Sequence, residues 1–236
     1  VENKVPAGPP FMGEESTNAI IHAIKEATRL DMEIGIMVAS SWNSGGSWVK
    51  PEHGVQGILD TTIVVNSQDD LPEKFPFPEL PDYDAYGLET LIAKEENGLP
   101  AFYQEVAVLA FPDNQEIDTS RIIDLTNKFK NGKLDWQVPQ GNWRVTRYVC
   151  TNLGTPLKRP STNSNGIMID HFSKEAQQAH LGFFIDKLKP ELGDLGETAL
   201  KYLYNDSYEI KGPVWTPKME EEFEKRRGYS LIPFLP

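Results

Sequence analysis

Apolar residues recur at helical spacing near the start of the chain. Ile20, Ile21, Ile24, Ala27 and Leu30 fall on one stripe, which predicts an amphipathic helix over 16–30 that Ser16 or Thr17 can cap. The pattern then changes to a short continuous apolar run, Glu33-Ile-Gly-Ile-Met-Val-Ala39, of the kind found in strands buried on both faces. The same helix-and-strand rhythm returns near the other end. Residues 173–189 predict a helix with Ala176, Ala179, His180, Phe183, Phe184 and Leu188 on or near one stripe, ended by Pro190. Leu200-Lys-Tyr-Leu-Tyr204 then reads as a strand that stops at Asn205-Asp206. A last helix has Thr216 at its N-cap, Pro217 at its first position and Glu220, Glu221 and Glu222 in its first turns. Lys225, Arg226 and Arg227 close it before Gly228.

Between these parts the texture differs. Residues 66–100 are rich in proline and acid, as in Phe75-Pro-Phe-Pro-Glu-Leu-Pro81, and read as an extended excursion. Strand-like segments follow at 102–111, 121–125, 134–138 and 143–150, with Asn131-Gly132 and Gln140-Gly141-Asn142 as hairpin turns in which glycine supplies positive φ. The polar stretch 151–167 leads the chain back, and no internal repeat is present. The predicted fold class is therefore α/β: a partial (β/α) TIM-type barrel with an inserted antiparallel β subdomain. Residues 1–65 would form a first barrel segment, 66–165 the β-rich insertion with its Pro-rich entry, and 166–236 a second barrel segment.

Charge and composition remove several classes of function. With 236 residues the chain can bury a sizeable core, and a net charge of −12 argues against nucleic acid and against anionic lipid. No apolar run approaches the roughly 20 residues of a membrane span. The chain opens on polar residues, Val1-Glu2-Asn3-Lys4, with no signal peptide. The lone Cys150 excludes an internal disulfide and a cysteine-based zinc site, and its strand context reads as a buried core thiol.

In parallel α/β architectures, ligands meet the loops that leave the carboxyl ends of strands. The first such loop runs from Ser40 to His53 and holds Trp42, Asn43, Gly45, Gly46 and Trp48 among small hydroxyls. Aromatic faces with hydroxyls and an amide suit a sugar, though the tryptophans could equally pack under the insertion. The second loop, Asn205–Trp215, carries Asp206 and Glu209. Glycosidic cleavage needs two carboxyl groups, and Glu209, beside Tyr208 and Trp215, could serve as the acid. The competing reading makes Asp206 or Glu209 a structural ion pair or cap. The histidines form no metal pattern: His22 and His180 read as surface or packing residues, His53 borders the Trp-rich loop, and Asp170-His171 forms a polar pair before the second helix.

At these loops the chain resembles the family 106 glycoside hydrolases, the α-L-rhamnosidase family of gut and soil Bacteroidetes. Trp42–His53, Gly141-Asn142-Trp143-Arg144, Asp170–Ala176, Asp206-Ser-Tyr-Glu209, Trp215-Thr-Pro217, Phe223–Tyr229 and Pro233–Pro236 carry the likeness in order along the chain. The resemblance implies an inverting α-L-rhamnosidase that uses two glutamates on a (β/α) barrel with β-sandwich appendages, cleaving terminal sugars from plant or microbial polysaccharides. It implies Glu209 as one catalytic glutamate, and loop position and residue type make Trp42, Asn43, Trp48, His53, Asp170, His171, Asp206 and Trp215 the candidate substrate-binding residues. It also implies a periplasmic or secreted protein. The resemblance admits calcium as a cofactor, but the sequence shows no complete ligand set, and it makes no cofactor certain. Eight βα units of about 30 residues each would not fit beside the insertion. About half a barrel is expected, with the remaining barrel segment or further domains, and the second glutamate, belonging to a longer protein. The alternatives are a non-catalytic carbohydrate-binding module and a structural domain of a larger polysaccharide-degrading protein.

Overall fold

The computed structural model of the chain describes residues 8–113, 117–212 and 214–236, so the opening Val1–Lys4 lies outside the described residues. The helices are α1 (Glu14–Arg29), α2 (Lys174–Leu192) and α3 (Met219–Arg227). The strands are β1 (Ile34–Met37), β2 (Gly45–Gly46), β3 (Gln56–Asn66), β4 (Tyr103–Pro112), β5 (Ile123–Asp124), β6 (Phe129–Lys130), β7 (Lys133–Leu134), β8 (Asn142–Asn152), β9 (Ile167–Met168), β10 (Leu200–Tyr204) and β11 (Val214–Trp215). They are arranged in two compact units, a mixed α/β architecture. One is built from the described residues of Val1–Val55, Tyr83–Leu91 and Gly154–Lys211, the other from the described residues of Gln56–Asp82, Ile92–Leu153 and Gly212–Pro236. Among the described residues no helix is long and apolar enough to cross a membrane.

In the first unit β1 and β10 pair in parallel, from Ile34 opposite Leu200 to Met37 opposite Tyr204. Helices α1 and α2 supply Ile21, Ile24, Phe184 and Leu188 to the core on which this pair rests. The expectation of a strand buried on both faces is corrected. Burial alternates along β1, and Met37, Tyr202 and Tyr204 remain 44%, 58% and 55% exposed, because the two helices cover only one face of the pair. Helix α1 begins at Glu14, earlier than predicted, with Gly13 as its N-cap and acidic residues meeting the amino-terminal dipole. Ser16 does not cap it; its hydroxyl donates to the carbonyls of Pro10 and Gly13. Helix α2 starts at the Ser173 cap, whose Oγ accepts from the Ala176 amide at 3.1 Å. It also runs past Pro190, which forgoes one backbone bond near the end while the buried Leu188 holds that turn on the core. Gly193, at φ 69°, stops it.

The short ladder between β2 and β9 explains the paired glycines of the first loop. Gly45 and Gly46 lie opposite Met168 and Ile167. A Cβ placed on Gly166 would overlap the backbone of Gly46, nearer than two such atoms can approach. Backbone meets backbone here without room for a side chain.

The second unit is a five-stranded antiparallel sheet in the order β11-β3-β8-β4-β5. Strand β3 pairs with β8 along its full length, from Gln56 opposite Asn152 to Asn66 opposite Asn142. Its sequence hides it, because the polar Asp60-Thr61-Thr62 separates two apolar pieces and breaks any alternation. The antiparallel pairing thus begins at Gln56, before the change of composition near residue 66. Both faces of the sheet are covered: Val65, Phe75, Val108 and Val145 form one cluster, and Ala107, Leu109, Tyr148 and Ile232 another. Cys150, in β8, is buried as expected. Asn131 and Gly132, at φ 51° and 78°, make the hairpin turn between β6 and β7 as predicted. Gly141, at φ 106°, leads into β8 without closing a hairpin, and the strand expected over 134–138 is confined to Lys133–Leu134. In the C-terminal segment α3 buries no residue and Gly228 is its left-handed C-cap. Met219 begins the helix, with its amide donating to the Thr216 carbonyl in the turn before it.

The expected outcome of Gly166→Ala is a loss of about 1–3 kcal/mol of stability, the usual range for overpacking a tight contact. Urea denaturation of the two proteins checks this, and an unchanged midpoint would show that the ladder relaxes freely.

Candidate active site

The first unit carries the pairing of its two strands onward into their loops. Beyond β1 the Val38 amide donates to the Tyr204 carbonyl at 2.8 Å, and the Ser207 amide donates to the Trp42 carbonyl at 3.0 Å. Asn43 lies parallel to Ser207 and is 1% exposed. Its side chain continues the ladder: Oδ1 accepts from the Glu209 amide at 2.7 Å and Nδ2 donates to the Glu209 carbonyl at 3.5 Å. A buried amide engaged at both its donor and acceptor ends holds one geometry, since leaving either end unpaired would be costly.

The Glu209 side chain stays 44% exposed and pairs through Oε2 with Lys158 Nζ at 3.1 Å. That ammonium, whose side chain is only 16% exposed, sits 3.4 Å from the centre of the Tyr86 ring and 5.4 Å from that of Trp42. Ser41 fixes the lysine's backbone by donating its hydroxyl to the Lys158 carbonyl. Lys211 Nζ approaches the same Tyr86 ring at 4.5 Å. Asp206 accepts from the Tyr204 hydroxyl at 3.1 Å and from the Ser207 hydroxyl at 2.8 Å. The Tyr204 hydroxyl is pushed above its ordinary pKa by that hydrogen bond and by the adjacent negative charge. These contacts form an open, charged surface flanked by Trp42 and Tyr86.

Next to it lies the turn before α2. Asp170 is buried; its amide donates to the His53 carbonyl at 2.8 Å and its Oδ1 accepts from the Phe172 amide at 2.8 Å. His171 shares a hydrogen bond at 3.0 Å between Nδ1 and the Ile169 carbonyl, and its ring meets the edge of Tyr208 at 4.6 Å. The His171 Nε2 is buried without a partner among the described residues. Burial holds its pKa below the ordinary histidine value, against opposite pulls from the Ile169 carbonyl and Asp170. Tyr208, immediately before Glu209, thereby connects this turn to the carboxylate loop.

The sequence profile of glycoside hydrolase family 106, alpha-L-rhamnosidase, matches residues 2–116 and 112–236. The chain belongs to this family. It is also 27% identical, over a 266-position alignment covering 98% of its length, to a protein of Formosa agariphila provisionally named a beta-glucuronidase. The solved structure of a rhamnosidase from Novosphingobium sp. PP1Y matches 99% of the chain with a TM-score of 0.69 at 20% identity, which shows a shared fold. The chain spans 21% of the first relative and 37% of the second.

Within this family 106 chain, the first unit brings Trp42, Asn43, Asp206 and Glu209 together, with His171 joined to them through Tyr208. Trp48 has a different place. Its ring stacks on Phe183 at 3.8 Å and 4°, and its Nε1–H donates to His180 Nδ1 at 3.3 Å, so it packs on α2. His53 contributes its backbone carbonyl to the Asp170 turn. Trp215 is 6% exposed in β11 of the antiparallel unit, where it lies opposite Gln56. Lys158, Tyr86 and Lys211 carry no signal in the sequence: they come from turn-rich segments with no periodicity, and nothing in their spacing says that they converge. Among the described residues no three His, Cys, Asp or Glu side chains come together to hold a metal ion, so no calcium ligands are assigned.

The buried His180 beside Trp48 should make the first unit sensitive to acid. His180 is 2% exposed and its Nε2 lies 2.7 Å from the Val38 carbonyl. With Trp48 donating to Nδ1, the ring is neutral with its proton on Nε2. Burial, above all, keeps its pKa below the ordinary histidine value. A second proton would have to displace the Trp48 N–H. The unfolded chain takes that proton more readily, so this contribution to stability is complete above about pH 6.5 and is lost as pH falls from there through the depressed folded value. Melting temperatures should therefore decline between about pH 7.5 and pH 5, and His180→Gln, which keeps one donor and one acceptor, should flatten the decline. Equal slopes for the two proteins would place the acid sensitivity elsewhere.

Proposed function

We propose that this chain is the part of a glycoside hydrolase that supplies Glu209 as a catalytic carboxyl group, in an inverting α-L-rhamnosidase acting on terminal sugars of plant or microbial polysaccharides. One observation carries the reading: Glu209 stands beyond the carboxyl end of a parallel strand, its backbone clamped by the Asn43 amide while its carboxylate is left open. Barrel enzymes place reacting groups at such ends. We assign Glu209 the acid role. Its protonated form gives the proton to the glycosidic oxygen as the bond to the anomeric carbon breaks, and the pair with Lys158 at 3.1 Å re-forms on the carboxylate left behind. Trp42 offers the sugar an aromatic face and Asp206 offers acceptors for its hydroxyls, while His171 sets the Tyr208 ring beside them.

In inverting enzymes the second carboxylate, which activates water, stands about 6.5–9.5 Å from the acid. We place it on the remaining segment of a partial (β/α) barrel whose first two parallel strands are β1 and β10. Their exposed face, with Met37, Tyr202 and Tyr204, is what further strands and their side chains would cover. Polysaccharide is met outside the cytoplasm, which favours a periplasmic or secreted enzyme.

The test uses the protein expressed with the rest of its barrel. Glu209→Gln should lower kcat/KM on a natural rhamnoside by roughly 10²–10⁴-fold. An aryl α-L-rhamnoside, whose leaving group needs less protonation, should lose much less. Equal losses on both substrates would make Glu209 the base instead, and unchanged rates would remove it from the chemistry. Turnover of an aryl β-glucuronide in place of the rhamnoside would overturn the choice of sugar alone.

A further inference from the structure

The antiparallel unit has a cleft of its own, about 660 Å³ in volume and wholly within that unit. Its floor is Arg147, 5% exposed, whose Nε and Nη2 donate to the two Glu105 oxygens at 3.0 and 2.5 Å. Nη1 donates to the Pro76 carbonyl at 3.0 Å, and the Phe77 and Phe129 rings lie 5.0 and 4.9 Å from the guanidinium carbon. Arg147 thus ties the Pro-rich strap to the sheet, which explains its burial without any ligand. The rim is different. Tyr103, in an edge contact with Phe77 at 5.1 Å, is 36% exposed, and its hydroxyl has no partner among the described residues. Lys74 also lines the cleft, and its ammonium has no ion pair among the described residues. Beside it, residues 126–134 carry Lys128, Lys130 and Lys133, of which Lys133 pairs with Glu73 at 3.5 Å.

The geometry points to a second saccharide-binding site in this cleft, one that takes an anionic, uronate-bearing oligosaccharide. The apolar C–H face of a sugar ring meets Phe77 and Tyr103, its hydroxyls reach the half-open Glu105 carboxylate and the Tyr103 hydroxyl, and its carboxylate meets Lys74. This combination of aromatic surface with a few converging polar groups is the general chemistry of small-ligand sites. A rim cation with no ion pair among the described residues adds selection for negative charge. The site is independent of hydrolysis at Glu209.

Calorimetric titration of the protein expressed with the rest of its barrel, using trigalacturonate and the methyl ester of the same trisaccharide, separates charge from shape. The acid should bind about two- to fivefold more tightly than the ester, the range of one solvent-facing ion pair, and the difference should shrink with added salt. Lys74→Gln should abolish that difference, and Tyr103→Ala should weaken both ligands. Both positions are at the exposed rim, and circular dichroism verifies their folding. The proposal is overturned if neither ligand binds, if Lys74→Gln leaves the acid-to-ester ratio unchanged, or if binding survives Tyr103→Ala and disappears with Glu209→Gln.

Discussion

Parallel strands cannot be joined by a tight turn, and the crossover that brings them together must return the chain to an edge in one particular register. Here β1 and β10 are separated along the chain by the whole antiparallel sheet's central strands and by α2, yet they meet with Met37 opposite Tyr204. Everything described at the candidate active site is set by that register. Past the strands the ladder continues through the Trp42 carbonyl and then through a side chain, the Asn43 amide, which imitates a peptide group and takes both backbone groups of Glu209. A shift of one residue would turn every side chain of β10 to the other face and leave that amide buried and unpaired. The carboxylate position is therefore inherited from backbone pairing rather than from its own contacts, which leaves the side chain free to be half exposed.

The two units handle cations in the same physical way. Lys158 and Arg147 are both largely buried, each pairs with one glutamate, and each lies against aromatic rings. Removing a charge from water is expensive, so a single ion pair repays it only when further favourable contacts surround the ion. Ring faces provide these without using up the glutamate's remaining lone pairs. In the first unit the glutamate keeps an open side toward solvent; in the second, the arginine holds the strap and forms the floor of a cleft. The chemistry is shared, and the outcomes differ with what each glutamate faces.

Burial in the first unit is distributed unevenly for a similar reason. Trp48, Phe183, Phe184 and His180 form a tight aromatic group on α2, with one neutral imidazole joining Trp48 to the end of β1. The opposite face of β1 and β10 has no such cover among the described residues. Met37, Tyr202 and Tyr204 are left exposed on that face. The two matched proteins are much longer than this chain, which covers 21% of one and 37% of the other.

Local signals in the sequence determined the three helices, the two parallel strands, the Asn131-Gly132 hairpin turn and the order of the loops, because these depend on periodicity, caps and glycine torsions that act within a few residues. Even there the ends differ, with Gly13 rather than Ser16 capping α1 and α2 continuing through Pro190. Motif order along the chain was enough to reach the family. Strand β3 is not legible in the sequence, since its polar middle is stabilised only by pairing with β8 over eleven residues. The partners of Glu209 are equally invisible there. Lys158 and Tyr86 are brought to it from separate loops. Trp48, just beyond the Gly45-Gly46 pair, has the sequence setting of a sugar platform and turns inward to α2 instead. Such choices depend on which distant surfaces meet, and only the tertiary structure decides that, because desolvation and ring packing act through space and leave no spacing in the chain.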